Sequence, residues 1–196
     1  MKWTGLTGGI ATGKSTAKKL IEGLGIPVVD ADQISHRLSE PGQAGYTQIV
    51  SHFGNKILND NLSIDRKKLG HIVFTDTRLK SQLEQILHPL IKAEVLLQKN
   101  QHQKNGATIC FYDVPLLFEK NLWDDFDSTV LIWVNNQTQL ERLMIRSGFT
   151  LEEAFLRIKN QVPMIDKVKM AKHCVDNSGD IEDLQKQIKK LIKSLV

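Results

Sequence analysis

Gly8-Gly9-Ile10-Ala11-Thr12-Gly13-Lys14-Ser15, followed by Thr16, satisfies every fixed position of the pattern G-x-x-x-x-G-K-[ST]. The chemistry this spacing offers is capture of a triphosphate. The glycines let successive backbone N–H groups converge on an anion, and a helix beginning at Lys14 adds its positive N-terminal end. Lys14 is placed to reach β- and γ-phosphates, and the Ser15 hydroxyl to hold Mg²⁺. Gly8, Gly9, Ala11, Thr12, Gly13, Lys14, Ser15 and Thr16 are therefore the expected nucleotide contacts. A short apolar run precedes the loop and a helical stretch, Lys14 to Leu24, follows it, which is the context the pattern requires.

Moving a phosphoryl group also needs something to orient the nucleophile. Pro27-Val28-Val29-Asp30-Ala31-Asp32 puts two carboxylates at the end of a second apolar run. Asp32 can take the proton of an attacking hydroxyl, or it can cap a helix beginning near Gln33; both roles stay open. Ile109-Cys110-Phe111-Tyr112-Asp113 ends in a carboxylate suited to holding Mg²⁺ directly or through water. Val114 follows it, where hydrolytic ATPases carry a water-activating carboxylate, and this argues against simple hydrolysis. Asn55-Lys56-Ile57-Leu58 lacks the aspartate of a guanine-specificity motif. Asp176-Asn177-Ser178-Gly179 matches D-x-x-G but lies too near the C-terminus for a switch. His88, beside Pro89, reads as a satisfied structural histidine rather than a catalyst. No histidine pair has metal-ligand spacing, and no G-x-S-x-G elbow supports a serine hydrolase.

The elements that must position these residues alternate between strand and helix, which predicts an α/β fold with a parallel sheet. Strands are expected at Trp3 to Thr7, Pro27 to Asp30, Ala107 to Asp113, Thr129 to Val134 and His173 to Asp176, each short and apolar as if covered on both faces. Ile181, Leu184, Ile188, Leu191, Ile192 and Leu195 form one helical stripe. Thr150-Leu151-Glu152-Glu153 reads as a capping box, opening a helix with apolar face Ala154, Phe155, Ile158 and Val162 that Pro163 ends. Roughly 75 residues separate the second and third strands, far more than one crossover helix needs. Leu79, Leu83, Ile86, Leu87, Leu90 and Ile91 share a face there, with Pro89 predicting a break or kink. This insertion is read as an acceptor-binding subdomain, and the arginine-bearing helices after the fourth strand as a lid over the triphosphate.

Composition sets the outer limits. The 196 residues, 41% hydrophobic and 24% charged, suit one soluble α/β domain. No apolar run nears the roughly 20 residues of a membrane span, and no signal peptide is evident, so a cytoplasmic protein without membrane partners is expected. Cys110 and Cys174 read as inert core thiols. The net charge of +4 is mild. Between Gln137 and Lys172 seven basic residues, Arg142, Arg146, Arg157, Lys159, Lys167, Lys169 and Lys172, face four acids. Few aromatics interleave them, so the stretch fits phosphate handling or a solvated helix surface better than a nucleic-acid groove. Oligomeric state is left open between a monomer and a weak homo-oligomer.

The residues together resemble the dephospho-CoA kinases, P-loop kinases of the nucleoside-monophosphate-kinase type. The matching segments are Leu6-Thr7-Gly8-Gly9-Ile10 with Gly13-Lys14-Ser15-Thr16, Asp30-Ala31-Asp32, Glu40-Pro41-Gly42, Ile64-Asp65-Arg66, Leu87-His88-Pro89-Leu90-Ile91 and Asp113-Val114-Pro115-Leu116-Leu117-Phe118-Glu119. Arg142, Arg157-Ile158 with Gln161, and Asp176-Asn177-Ser178-Gly179 complete the order. The resemblance implies a three-layer P-loop NTPase fold with five parallel strands. It implies a core (1–32, 104–142, 170–196), a helical CoA-binding insertion (33–103) and a small helical lid (143–169). It further implies ATP and Mg²⁺ as cofactors and dephospho-CoA as acceptor, with transfer to the ribose 3′-hydroxyl. Asp32 matches the family's proposed base, and Arg142 an arginine near the transferring phosphates. Ala11-Thr12 stands where Gly-Ser is commoner, and Ser147-Gly148 follows Arg146 where an acidic residue is usual. The rival expectations are another P-loop nucleoside or nucleotide kinase, and a nucleotide-dependent binding module without catalysis.

Overall fold

The apolar run after Met1 forms the central strand of a five-stranded sheet, β1 (Lys2–Gly8). All 196 residues are described by the structure, a computed structural model. In chain order β1 is followed by α1 (Lys14–Gly23), β2 (Val28–Asp30), α2 (Ala31–Leu38), α3 (Ala44–Phe53), α4 (Arg66–Thr75) and α5 (Thr77–Lys104). Then come β3 (Ile109–Asp113), β4 (Ser128–Trp133), α6 (Asn136–Ser147), α7 (Leu151–Lys159), α8 (Met164–Met170), β5 (His173–Asp176) and α9 (Ile181–Leu195). The chain divides into two units, Met1–Val29 with His102–Val196, and Asp30–Gln101.

In the first unit the strand order is β2-β3-β1-β4-β5, with β1 parallel to β3 and β4, and β4 parallel to β5. All five expected strands are present, with ends shifted by a residue or two. Leu6 of β1 stands opposite both Asp113 and Val130. That register delivers Asp113 to the sheet edge where β1 runs into the phosphate loop. Leu6, Phe111, Val130, Ile132 and Val175 point to one face and bury against Ala17 and Ile21 of α1 and Leu184, Ile188, Leu191 and Leu195 of α9. The last-helix stripe therefore packs as its spacing predicts, except that Ile181, in its first turn, is 54% exposed. Side chains alternate across a strand, so Trp3 and Gly5 face the other way. At Gly5 an added Cβ would come 2.6 Å from Leu117, so glycine is what admits the 115–126 segment onto that face.

Several local expectations fail for identifiable reasons. Cys110 is buried but Cys174 is exposed, because β5 is an edge strand whose Val175 takes the only core position nearby. Partial burial still pushes the Cys174 thiol above its ordinary value. α7 has the capping box, with Thr150 and Glu153 bonded reciprocally, but it ends at Lys159. Pro163 starts α8 instead, and Phe155 is 57% exposed rather than part of a buried face.

The second unit is helical. Ile49, Phe53, Ile57, Ile64 and Leu69 form its core, against which Leu79, Leu83, Ile86 and Leu87 of α5 pack. Pro89 does not break α5, which runs unbroken for 28 residues. Proline removes one N–H and crowds the carbonyl four residues back; here Gln85 and Pro89 are both exposed, so water can serve that carbonyl. His88 is likewise exposed on α5, contrary to its reading as a satisfied structural residue.

Aspartates start three helices of this unit. Asp30 accepts from the Gln33 N–H at 2.9 Å, and Asp65 accepts from the N–H groups of Lys67 and Lys68 at 3.0 Å each. Asp76 accepts from Arg78 and Leu79. These backbone donors hold the carboxyls of Asp65 and Asp76 below the usual range. A depressed folded-state pKa contributes stability above the unfolded value of about 4 and loses it as the pH falls through the folded values. Thermal stability is therefore expected to fall as the pH drops from about 5 to about 3, and Asp65→Asn with Asp76→Asn should flatten that part of the profile. An unchanged profile in the double variant would rule these caps out as its source.

Candidate active site

The phosphate loop lies between β1 and α1, with a turn that only certain residues tolerate. Gly13 caps α1 at φ 86°, and its carbonyl accepts from Thr16 and Ala17. Ala11 also sits in the left-handed region, at φ 60°, a position that costs a residue with a Cβ about 1–2 kcal/mol. Thr12 turns inward: its hydroxyl donates to the Gly9 carbonyl at 2.9 Å and the residue is wholly buried. Of the eight expected nucleotide contacts, Gly8, Gly9, Ala11, Gly13, Lys14, Ser15 and Thr16 line a pocket of about 540 Å³, and Thr12 does not. Ile10, Pro115, Arg142, Arg146 and Gln161 complete the lining. The volume is within the range of small-molecule sites.

Three polar side chains fix the loop from outside. Ile10 is held at both ends of its backbone: its N–H donates to Gln161 Oε1 at 2.9 Å, and its carbonyl accepts from Gln139 Nε2 at 2.8 Å. Asn177 Nδ2 donates to the Thr12 carbonyl at 2.8 Å, while the Asn177 carbonyl accepts from Arg142 Nη1 at 2.8 Å. The D-x-x-G of the sequence is thus a brace at the end of β5, not a switch. Gln139, buried within α6, had no sequence signal beyond its helix. Asn177 had one: it follows directly on a strand whose C-terminal end should face the ligand crevice.

Gly13 shows how tight this bracing is. An added Cβ would lie 2.1 Å from Asn177 Nδ2. Gly13→Ala should therefore displace Asn177 as well as strain the backbone, destabilising by about 2 kcal/mol. Melting about 4–8 °C lower is the expected readout, together with weakened nucleotide binding. A melting temperature equal to the parent protein's would refute the tight contact.

The pocket is cationic. Arg142 and Arg146, one turn apart on α6, both line it, and the α1 N-terminus opens into it. The Lys14 ammonium donates to Asp113 Oδ1, so the two residues assigned to phosphate and metal form an ion pair; Lys14 lines the pocket and Asp113, buried behind it, does not. Val114 is buried and supplies no second carboxylate. Ser15 is exposed to the pocket. A hydroxyl and a carboxylate are hard oxygen donors, a type that fits Mg²⁺, an ion that keeps several waters and takes few protein ligands.

The other cations of the Gln137 to Lys172 stretch divide. Arg157 lies 4.3 Å over the Phe149 ring. Lys167 is entirely buried, which neither a phosphate-handling nor a solvated-surface reading anticipated.

In the second unit, Asp32 is exposed in the first turn of α2. The capping role considered for it belongs to Asp30. Ser35 and Ser39, on the same face of α2 as Asp32 by helical spacing, line a cavity of about 180 Å³. Its other walls are apolar, from Ile49, Ile64, Leu69 and Leu83, apart from Arg66, whose Nη2 donates to the His36 carbonyl at 3.2 Å.

Comparison with known proteins gives a consistent result over the whole chain. The sequence model of one family, dephospho-CoA kinase, matches residues 2–183. The chain is 42% identical to the dephospho-CoA kinase of Lactobacillus johnsonii over 191 residues, covering 97% of this chain and 96% of that one. It is 40% identical to the dephospho-CoA kinase of Listeria innocua over 195 residues, covering 100% and 98%. A solved structure of dephospho-CoA kinase from Campylobacter jejuni aligns with a TM-score of 0.74 at 30% identity, covering 98% of this chain and 96% of that one.

Proposed function

The chain belongs to the dephospho-CoA kinase family, and from that premise we propose that it transfers the γ-phosphoryl group of ATP to the ribose 3′-hydroxyl of dephospho-CoA, releasing coenzyme A and ADP. The observation that carries the reading is the cationic pocket formed by the phosphate loop with Lys14, Arg142 and Arg146, in a chain that matches these kinases along its length.

The loop's backbone N–H groups and the α1 N-terminus hold the nucleotide's phosphates. Lys14 and Arg142 place positive charge on the group in transfer, and charge developed there is stabilised without reorganisation. Arg142 is suited to this because its contact with the Asn177 carbonyl fixes the guanidinium. The Ser15 hydroxyl and Asp113 would hold Mg²⁺, which would supply further positive charge to the phosphates. Asp32 orients the acceptor hydroxyl and takes its proton. The 33–103 insertion binds the acceptor, with Arg66 offering charge to its diphosphate and the apolar cavity between α2 and α5 admitting part of its pantetheine arm. Residues 143–169 act as the lid, excluding water during transfer and so suppressing hydrolysis.

The substrates are water-soluble metabolites, which supports a cytoplasmic site of action; no helix is long and apolar enough to cross a membrane. Incubation with Mg-ATP and a panel of acceptors tests the reading. ADP should appear only with dephospho-CoA, and the product should carry a 3′-phosphate. Equal ADP without any acceptor would replace the proposal with an ATPase, and ADP with a nucleoside alone would point to another small-molecule kinase.

A further inference from the structure

Lys167 is 0% exposed, and its ammonium lies 2.6 Å from Oε1 of Glu119, an ion pair the reaction itself does not use. The pair is close but poorly aligned: Lys167 Nζ and Glu119 Oε2 have no hydrogen-bond partner. Buried charges left in this condition do little for stability. An apolar pair of similar volume is often as stable or more so, since desolvating both ions offsets their attraction. Unsatisfied buried polar atoms call for another explanation.

The surroundings supply one. Glu119 stands in a turned segment after β3, directly after the buried Leu117 and Phe118, where the Lys120 N–H donates to the Leu116 carbonyl and the Leu122 N–H to the Leu117 carbonyl. Its Oε1 also accepts from the Val162 N–H at 3.3 Å. Val162 lies in the short link between α7 and α8. The residue before it, Gln161, accepts the Ile10 N–H of the phosphate loop. Met164, two residues after, packs on the loop closely enough that a Cβ at Gly9 would lie 2.7 Å from its terminal methyl. One carboxylate thus holds Val162 and Lys167, and the two residues on either side of the Val162–Pro163 dipeptide, Gln161 and Met164, are those that touch the loop.

We propose that Glu119 and Lys167 are positioning residues for nucleotide binding: their buried pair sets the α7–α8 link, and through Gln161 the link sets the phosphate loop. The proposal rests on reading the loop pocket as the ATP site. An apolar replacement can fill the same space but cannot accept the Val162 N–H, so it should preserve the fold and loosen the loop.

The test is the double variant Glu119→Leu/Lys167→Met, examined by thermal melting and by equilibrium titration with ATP and Mg²⁺. Stability is expected to equal or exceed that of the parent, while the ATP Kd rises about threefold to tenfold, the effect of losing one fixed hydrogen bond. Gln161→Ala, which removes neither charge, should raise the Kd by a similar factor. Combining all three substitutions should raise it no further, because residues acting through one contact are not additive. A parent-like Kd in either variant, or multiplicative effects on combination, overturns the proposal. So does a double variant that fails to fold, since the pair would then serve stability. Absence of ATP binding by the parent protein would instead refute the reading of the pocket.

Discussion

Lys14→Met is expected to lower kcat by about 10²- to 10³-fold, the effect of removing one fixed donor from a developing anion. Methionine keeps most of the aliphatic stem, so the change isolates the ammonium. The Lys14 side chain is only 17% exposed and its structural partner, Asp113, only 7%. Removing one member of such a pair also destabilises, because a desolvated carboxylate loses its nearest cation. Activity must therefore be read at a temperature where circular dichroism shows the variant folded. Single-turnover rates at saturating ATP separate the two effects: a folded variant with kcat above one-tenth of the parent value, a threshold set well short of the expected loss, would remove Lys14 from the transfer step.

Asp32→Asn is expected to lower kcat by about 10²-fold or more, because asparagine can orient a hydroxyl but cannot take its proton. The structure makes this a clean substitution. Asp32 is exposed, and the first turn of α2 is capped by Asp30 through Gln33. Melting should therefore stay within about 2 °C of the parent protein, as for most surface changes. Asp30→Asn gives the converse control, since it alters the cap while leaving Asp32 in place. If Asp32→Asn retains near-parental kcat, Asp32 is not the base.

The ambiguity at Asp30-Ala31-Asp32 shows where reading from sequence ends. Whether Asp32 caps a helix or serves as base stays open in the sequence until the first helical residue is known. The structure starts α2 at Ala31, two residues earlier than a cap at Asp32 requires, and the cap falls to Asp30. Cys174 and Phe155 fail differently. Each sits in an apolar run, but whether a run is covered depends on neighbours that are distant in sequence. β5 is an edge strand, and α7 turns Phe155 outward. Pro89 misleads because the consequence of a proline depends on whether solvent can reach the carbonyl it displaces.

What the sequence determined by itself is local or periodic. The phosphate loop is eight consecutive residues whose φ requirements and donors are intrinsic, and Ala11 and Gly13 adopt the left-handed conformations such a turn needs. Strand and helix types follow from side-chain period, so the five strands and the last helix were legible from hydrophobic spacing. The family resemblance added the acceptor. Only the tertiary structure decided what holds the loop. Gln139, Gln161 and Asn177 reach it from sequence separations of 129, 151 and 165 residues. The same holds for Lys167, which reads as one more surface lysine until α8 is packed and its ammonium meets Glu119. Hydrogen bonds and buried ion pairs depend on distances of a few ångströms between elements, and no local pattern of residue types encodes those distances.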